Sequence, residues 1–308
     1  MKIPRISFVA AALCSVALPA AFSVPAIAAV DLSEYTLVVA EDFDSDSLDS
    51  SLWSLVPEGG SSAWRYYVDT DDSYLVEVSD GTLKLRGNAT LNSDGTYSYS
   101  EGAIWTSGKY TVQYGYIEVR AKFTSIQGTW PAIWLMSASG RTWPQGGEID
   151  IMEHLNYMGS VYQTIHYGTS GSSSTLATYS DYGLEDKTEW HTYAIEWGEG
   201  YISFYIDGVL TVTYTADEIG EDWPFDDEGN EFYLILSMQI GGSWVENING
   251  GGIDGESLLN YGATMEIDYV YIYQLTASIP EPGTFGILAG AGALAFALSR
   301  RRRKTGKN

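Results

Sequence analysis

The sequence predicts an all-β protein of the sandwich or barrel class, and three observations carry that prediction. Turn dipeptides such as Asp80-Gly81, Asp94-Gly95 and Asp207-Gly208 recur between short alternating segments, a spacing typical of sandwiches and barrels. The chain holds 23 Tyr and 10 Trp with only short aliphatic runs, which favours strands. Between the two ends, no segment keeps a helical period beyond a turn or two, as around residues 216–219.

Alternation of polar and apolar residues places ten representative strands between the turns. They are residues 74–78, 82–86, 116–123, 133–136, 148–153, 161–167, 191–197, 201–206, 232–238 and 265–274. No internal repeat or interdomain linker precedes Ser278. We therefore expect one domain of about 250 residues, which is large enough to bury a core without disulfides.

Both ends of the chain are predicted to be processing segments. Lys2 and Arg5 precede an apolar stretch, and a small-x-small site follows at residues 26–28, so residues 1–28 are expected to be a secretory signal peptide. The only cysteine, Cys14, lies inside this segment. The exported chain is therefore predicted to lack disulfides, thiol nucleophiles and cysteine metal sites.

The C-terminal segment, residues 279–308, combines Pro280-Glu281-Pro282, an apolar run over residues 285–298 and a basic cluster over residues 300–304. It resembles a bacterial PEP-CTERM sorting signal. The resemblance implies recognition by an exosortase-type membrane enzyme, followed by release or surface attachment. A permanent single-helix transmembrane anchor would use the same residues, with the basic cluster on the cytoplasmic side.

The charge of the central region limits its partners. Residues 29–279 hold 39 of the 40 acidic residues and 8 of the 16 basic ones, a net charge of −31. Such a body repels nucleic acid and anionic membranes. It should also repel heavily sulfated polysaccharides.

The most informative segment is the acidic strand at residues 148–153. In a strand with period two, Glu148 and Asp150 share one face while the isoleucines between the acids pack on the other. Glu153 has the wrong parity, and a one-residue β-bulge near Met152 would return it to the acidic face. Crowded carboxylates cannot all ionise at their usual pKa, so one holds a proton near neutral pH while a neighbour stays anionic. A protonated carboxylic acid beside an anionic carboxylate is the arrangement that glycosidases use for catalysis.

The segments GEIDIME, TWPAIWLM and IDYVYIYQ together resemble glycoside hydrolase family 16, in its laminarinase-like branch with the bulged E-x-D-x-x-E motif. The similarity runs over roughly residues 36 to 275. It implies a jelly-roll sandwich of two antiparallel sheets with a substrate cleft on the concave sheet, in residues 29–278. It also implies that Glu148 is the nucleophile, Asp150 the assisting carboxylate and Glu153 the general acid/base.

Several side chains around the acids are predicted to contact sugar. Trp130, Trp134 and Trp143 carry flat apolar faces that suit the C–H faces of glucose, although Trp134 could equally be a core residue. Arg141 could hydrogen-bond sugar hydroxyls from the same loop as Trp143. His166 is the candidate for a hydrogen bond near the nucleophile, as the resemblance implies.

Gln239 and Trp244 follow a late strand and are further candidate sugar contacts. The segment SMQIGG departs here from the commoner N-x-A-V-G-G of the family, as does WRYY at residues 64–67, which leaves the glucan linkage open. His154 is expected to point away from the acids, and His191 is expected to be structural.

Catalysis is expected to need no cofactor, but the resemblance implies a structural Ca²⁺ away from the cleft. Its candidate ligands are Glu41, the carbonyl of Gly81 and Asp268, which supply the hard oxygens that calcium prefers. The alternative is that Glu41 and Asp268 are solvated surface acids that bind no ion.

Two functions remain open at this stage. The first is a monomeric, retaining endo-β-glucanase acting on β-1,3 or mixed β-1,3/1,4 bonds, with β-galactans such as agarose or carrageenan as the runner-up substrates. The second is a non-catalytic carbohydrate-binding module, since sandwich folds also host lectins. The intact set of three acids argues for the enzyme.

Overall fold

The computed structural model describes residues 30–57, 74–169, 172–180, 189–248 and 251–276. The predicted signal peptide, the sorting segment and the WRYY segment lie outside these ranges. Within them, no helix has the length and apolarity needed to cross a bilayer.

The strands form two antiparallel sheets. The nine-stranded sheet has the order β14 (Val209–Thr215), β13 (Tyr201–Ile206), β12 (His191–Gly198), β7 (Gly115–Phe123), β16 (Ala263–Leu275), β4 (Thr82–Leu91), β3 (Val76–Ser79), with β1 (Tyr35–Glu41) paired to β16 and β5 (Tyr97–Glu101) paired to β4. The seven-stranded sheet has the order β11 (Ser172–Ser180), β10 (Val161–Thr169), β9 (Glu148–Glu153), β8 (Thr129–Ser137), β15 (Phe232–Ile240), β6 (Ala103–Trp105), β2 (Ser54–Leu55).

Within the described ranges, every helix is short. They are α1 (Ala216–Ile219), α2 (Ser243–Asn247) and α3 (Gly255–Tyr261), with 3₁₀ turns at Leu32–Glu34 and Gly220–Asp222. All ten predicted strands are present; the first begins at Val76, two residues later than predicted, and most of the others are longer by a few residues at one or both ends. The predicted jelly-roll sandwich of two antiparallel sheets is confirmed.

The core lies between the two sheets because each contributes one apolar face. In β4, buried residues alternate with half-buried ones along eight positions, as expected for a strand with one covered face. Ile117 and Val119 of β7 pack in the same buried cluster as Ile149 of β9 and Ile133 of β8. The other face of the seven-stranded sheet is left for the site.

The first and last described strands are neighbours. β1 runs antiparallel to β16, with Tyr35 opposite Leu275 and Glu41 opposite Val270. A backbone ladder therefore joins the two ends of the domain.

Candidate active site

A β-bulge in β9 brings the three acids to one face. On β8, Ile133 lies opposite Met152 while the next residue, Trp134, lies opposite Asp150, so Ile151 is the extra residue. Ile151 and Met152 are both fully buried in the core, although regular alternation would send one of them outward. The predicted bulge near Met152 is confirmed, and it returns Glu153 to the face of Glu148 and Asp150.

The neighbouring strands place further polar groups on this face. On β10, His166 lies opposite Glu148, Thr164 opposite Asp150 and Tyr162 opposite Glu153. His166 Nε2 is 3.2 Å from Asp150 Oδ2, so the predicted histidine lies beside the acids. Its other ring nitrogen is 2.9 Å from the hydroxyl oxygen of Thr175 on β11.

Each of the two glutamates at the ends of the acidic strand accepts a hydrogen bond from a tryptophan. Trp143 Nε1 donates to Glu148 Oε2 at 2.6 Å, and Trp130 Nε1 donates to Glu153 Oε1 at 2.9 Å. Both indoles were predicted to contact sugar, and both lie at the edges of the acidic face. An indole N–H directed at a carboxylate favours its charged form.

The pKa values of all three acids are raised. Burial raises the pKa of Glu148 to about 8, and the charge of Asp150 adds to the rise. Burial also raises the pKa of Asp150. Burial and the charges of Asp150 and Glu148 together raise the pKa of Glu153, against which the indole of Trp130 acts in part. The cluster therefore retains protons at neutral pH.

The two glutamates differ in exposure to solvent. Glu153 is only 6% exposed, whereas Glu148 is half-buried at the start of β9. Because water stabilises a carboxylate, the more exposed Glu148 should ionise first while Glu153 keeps its proton. This order matches a nucleophile at Glu148 and a proton donor at Glu153.

A glycine fixes the entry to the acidic strand. Gly147 has φ +85°, and a Cβ on it would lie 2.8 Å from Phe225 and 2.9 Å from Pro224. A side chain there would meet ring atoms of the loop that follows α1. Glycine thus lets the chain pass close to that loop immediately before Glu148.

An apolar floor continues the acidic face toward β6. Trp134 is 9% exposed and belongs to a small cluster with Val56, Ala103, Ala132 and Ile235. Its indole nitrogen is 3.4 Å from the hydroxyl oxygen of Ser237. Trp134 therefore lies on the same face as the acids but is largely covered, and its contact with sugar stays a prediction.

Two aromatic residues of this floor were not predicted. Trp105 and Tyr233 meet edge to face with centroids 5.7 Å apart, and both pack on the cluster of Trp134. Burial and the charge of Glu148 raise the pKa of Tyr233. Tyr233 has the strand parity of the predicted contact Gln239, so alternation along β15 was the available signal.

Gln239 and Trp244 lie at the Glu153 end of the site. Gln239 is opposite Trp130 in the ladder of β15 and β8, and the ring of Trp244 meets that of Trp130 at 5.4 Å. Gly242 has φ +111°, a conformation that L side chains rarely adopt, and a Cβ on it would lie 3.1 Å from Gln239 and 3.2 Å from Trp130, so both side chains would have to shift.

Arg141 forms an ion pair with Asp227 at the opposite end. The two residues line a cavity of about 350 Å³ together with Gln145 and Trp223. The guanidinium is thus anchored between two loops, and its contact with sugar stays a prediction.

The two remaining histidines lie away from the acids. His154 is fully buried, with its ring 4.9 Å from that of Phe123 and its Nε2 2.8 Å from the carbonyl oxygen of Met158. His191 Nδ1 is 2.7 Å from Asp207 Oδ2. Both positions suit structural roles.

The described residues contain one cluster of three His, Asp or Glu side chains close enough to hold a metal, namely Glu148, Asp150 and His166. These are the residues of the acidic face.

The predicted calcium ligands fit such an ion only in part. Glu41 accepts hydrogen bonds from the backbone N–H of Phe43 and from the indole of Trp53, and Asp268 forms an ion pair with Arg120 at 2.7 Å. A cation at Asp268 would meet the guanidinium charge. Calcium here would depend on backbone carbonyls such as that of Gly81, and the site stays a prediction.

Comparison with known proteins identifies the family of this chain. The sequence profile described as "Glycosyl hydrolases family 16" matches residues 66–271, and a PEP-CTERM protein-sorting motif matches residues 278–303. The catalytic domain of an endo-1,3-beta-glucanase (laminarinase) from Thermotoga petrophila RKU-1 has a similar structure. It is 31% identical, with a TM-score of 0.65, over 79% of this chain and 98% of that one.

Two further proteins are similar to this chain in sequence. The keratan-sulfate endo-1,4-beta-galactosidase of Sphingobacterium multivorum is 32% identical over 80% of this chain, and the glucan endo-1,3-beta-glucosidase A1 of Niallia circulans is 30% identical over 81%. The chain spans 57% and 39% of the lengths of these two proteins. A family profile that covers two thirds of the sequence, together with the bulged acidic strand, shows that this chain belongs to glycosyl hydrolase family 16.

Proposed function

We propose that this protein is an exported, retaining endo-β-glucanase that hydrolyses β-1,3 or mixed β-1,3/1,4 bonds. The observation that carries the proposal is the bulge in β9, which lines up Glu148, Asp150 and Glu153 between two indole N–H donors. The similarity to laminarinases supports the substrate class.

In the first chemical step, the Glu148 carboxylate attacks the anomeric carbon and forms a glycosyl ester. The glycosidic C–O bond breaks as Glu153 gives its proton to the leaving oxygen. The raised pKa of Glu153, caused by burial and by its two acidic neighbours, keeps that proton available at neutral pH.

In the second step, Glu153, now a carboxylate, takes a proton from a water molecule whose oxygen bonds to the anomeric carbon. The ester bond breaks and Glu148 leaves as a carboxylate. Asp150 lies between the two glutamates and beside His166. We assign it the role of orienting Glu148 and tuning its charge.

The charge of the domain favours a neutral glucan over a sulfated polymer. Residues 29–279 carry a net charge of −31. This charge would repel a polyanion as it approaches the acidic face. A β-galactan is the second candidate, because the relative from Sphingobacterium multivorum is named a keratan-sulfate endo-1,4-beta-galactosidase; the charge of the domain here favours an unsulfated galactan. A purely binding module has no use for three clustered acids with raised pKa values.

A side-by-side assay of reducing ends on laminarin, lichenan, agarose and carrageenan tests the substrate class. We expect release from laminarin or lichenan by the wild-type protein and none by E148Q, since glutamine keeps the shape but cannot attack. Release from agarose or carrageenan alone would replace the glucan with a galactan. No release from any of the four would contradict the enzymatic proposal.

The sorting motif at residues 278–303 indicates export and surface association. We propose that an exosortase-type enzyme recognises it and that the exported protein is a monomer. Fractionation of cells producing the full chain or a chain without residues 279–308 tests the first point. An identical distribution of the two would contradict it, and an assembly larger than one chain in light scattering would contradict the second.

A further inference from the structure

Two buried asparagines lie behind the two ends of the acidic face. We call the end formed by Trp130 and Trp244 the Glu153 wall, and the end formed by Trp143 and its loop the Glu148 wall. Asn156 follows the C-terminal end of β9 and is fully buried, while Asn230 precedes β15 and is 1% exposed. Asn156 connects the segment that carries Trp130 to helix α2, and Asn230 connects the segment that carries Trp143 to the loop at Pro224. Buried amides of this kind are costly unless every polar atom is paired.

Asn156 ties the segment before Trp130 to helix α2. Its Oδ1 accepts a hydrogen bond from the backbone N–H of Gly128 at 2.6 Å, and its Nδ2 donates to the carbonyl of Val245 at 3.1 Å. Val245 is the residue after Trp244, whose ring packs edge-on against Trp130. One side chain therefore sets the distance between the two halves of the Glu153 wall.

The backbone of Asn156 reinforces this link. Its N–H donates to the carbonyl of Thr129 at 2.9 Å, and its carbonyl accepts from the hydroxyl of Ser125 at 2.7 Å. Its φ of +56° lies in the left-handed region, which asparagine tolerates better than most residues.

Asn230 has the same arrangement at the Glu148 wall. Its Nδ2 lies 2.9 Å from the carbonyl of Gly146 and 2.7 Å from that of Pro224, and its Oδ1 accepts from the hydroxyl of Ser137 at 2.6 Å. Gly146 lies three residues after Trp143, whose side chain is 48% exposed. The position of that indole depends on its loop.

We propose that Asn156 and Asn230 are positioning residues that act on different catalytic glutamates. Asn156 holds Trp130 on the general acid/base Glu153, and Asn230 holds Trp143 on the nucleophile Glu148. This inference rests on the proposed function. It adds that each wall positions a different glutamate, Glu153 at one end and Glu148 at the other.

The division predicts different dependence on the leaving group. A substrate with a dinitrophenolate leaving group needs no proton from Glu153, whereas a sugar leaving group does. Displacing Trp130 should therefore slow cleavage of the sugar bond selectively. Displacing Trp143 weakens the attack by Glu148, which both substrates require.

The test compares kcat/KM for a dinitrophenyl β-laminaribioside and for a laminarin oligosaccharide in the wild type, N156D and N230D. Aspartate keeps the acceptor oxygen and loses the amide donor. We expect the dinitrophenyl-to-oligosaccharide ratio to rise about tenfold in N156D, a fraction of the roughly 10²–10⁴ that general acid catalysis contributes. In N230D both values should fall together with the ratio within about twofold of wild type, a limit set by the equal demand for the nucleophile.

The ratio does not depend on the fraction of correctly folded protein, so partial unfolding of a variant does not mask the result. W130F, which removes the indole N–H directly, should reproduce the effect of N156D. An unchanged ratio in N156D, or the same change in N156D and N230D, would overturn the assignment while leaving the proposed function intact. A wild-type protein inactive on both substrates would overturn the proposed function and this inference together.

Discussion

Replacing Glu148 by glutamine should stabilise the protein at neutral pH while abolishing turnover. Burial and the charge of Asp150 raise the pKa of this carboxyl from 4.5 to about 8. The native state therefore binds more protons than the unfolded state between these values, and stability falls as pH rises through that window. Glutamine carries no charge and can still accept the hydrogen bond of the Trp143 indole.

The size of the effect follows from the shift. Each pKa unit corresponds to about 1.4 kcal/mol, so between pH 4.5 and pH 7 the wild type loses up to about 3 kcal/mol that E148Q retains. Because Asp150 shares protons with Glu148, we expect about 1–3 kcal/mol in practice. For a domain of this size, that is roughly 5 °C in Tm.

Thermal unfolding followed by circular dichroism from pH 4 to pH 8 measures the difference. E148Q and wild type should unfold together at pH 4 and diverge as pH rises to 8. E228Q, at an exposed loop position, is the matched control and should follow the wild type throughout. A Tm of E148Q at or below that of wild type at pH 7, or a gain that does not change with pH, would refute the reasoning.

Three further outcomes are expected. E153Q should lose activity on glucans but accept azide as a nucleophile with an activated glycoside, giving a β-glycosyl azide; an α-azide, or no rescue, would remove Glu153 from the acid/base role. The first product released from laminarin should be the β-anomer by NMR, since two displacements retain configuration; an α-product would exclude the retaining mechanism. Calcium added after chelation should raise the Tm with the logarithm of its excess, and D268A should weaken that response; no response in either protein would remove the calcium site.

The sequence alone determined the fold class, the acidic strand and the candidate sugar-contacting residues near it. Period-two alternation located strands such as β4, which has one covered face, and the wrong parity of Glu153 was itself the signal for the bulge. The motif resemblance assigned the family, and turn chemistry marked the boundaries. All of these are local properties of the chain, readable within a few residues.

Only the tertiary structure decided which residues complete the floor beside the acids. Trp105 and Tyr233 reach the floor because β6 and β15 are neighbours in the sheet, a pairing that no local pattern encodes. The side chains of Asn156 and Asn230 hydrogen-bond segments that are far apart in sequence. The raised pKa values also depend on burial by β8 and β10, since the charge on a carboxylate is penalised only when surrounding strands exclude water.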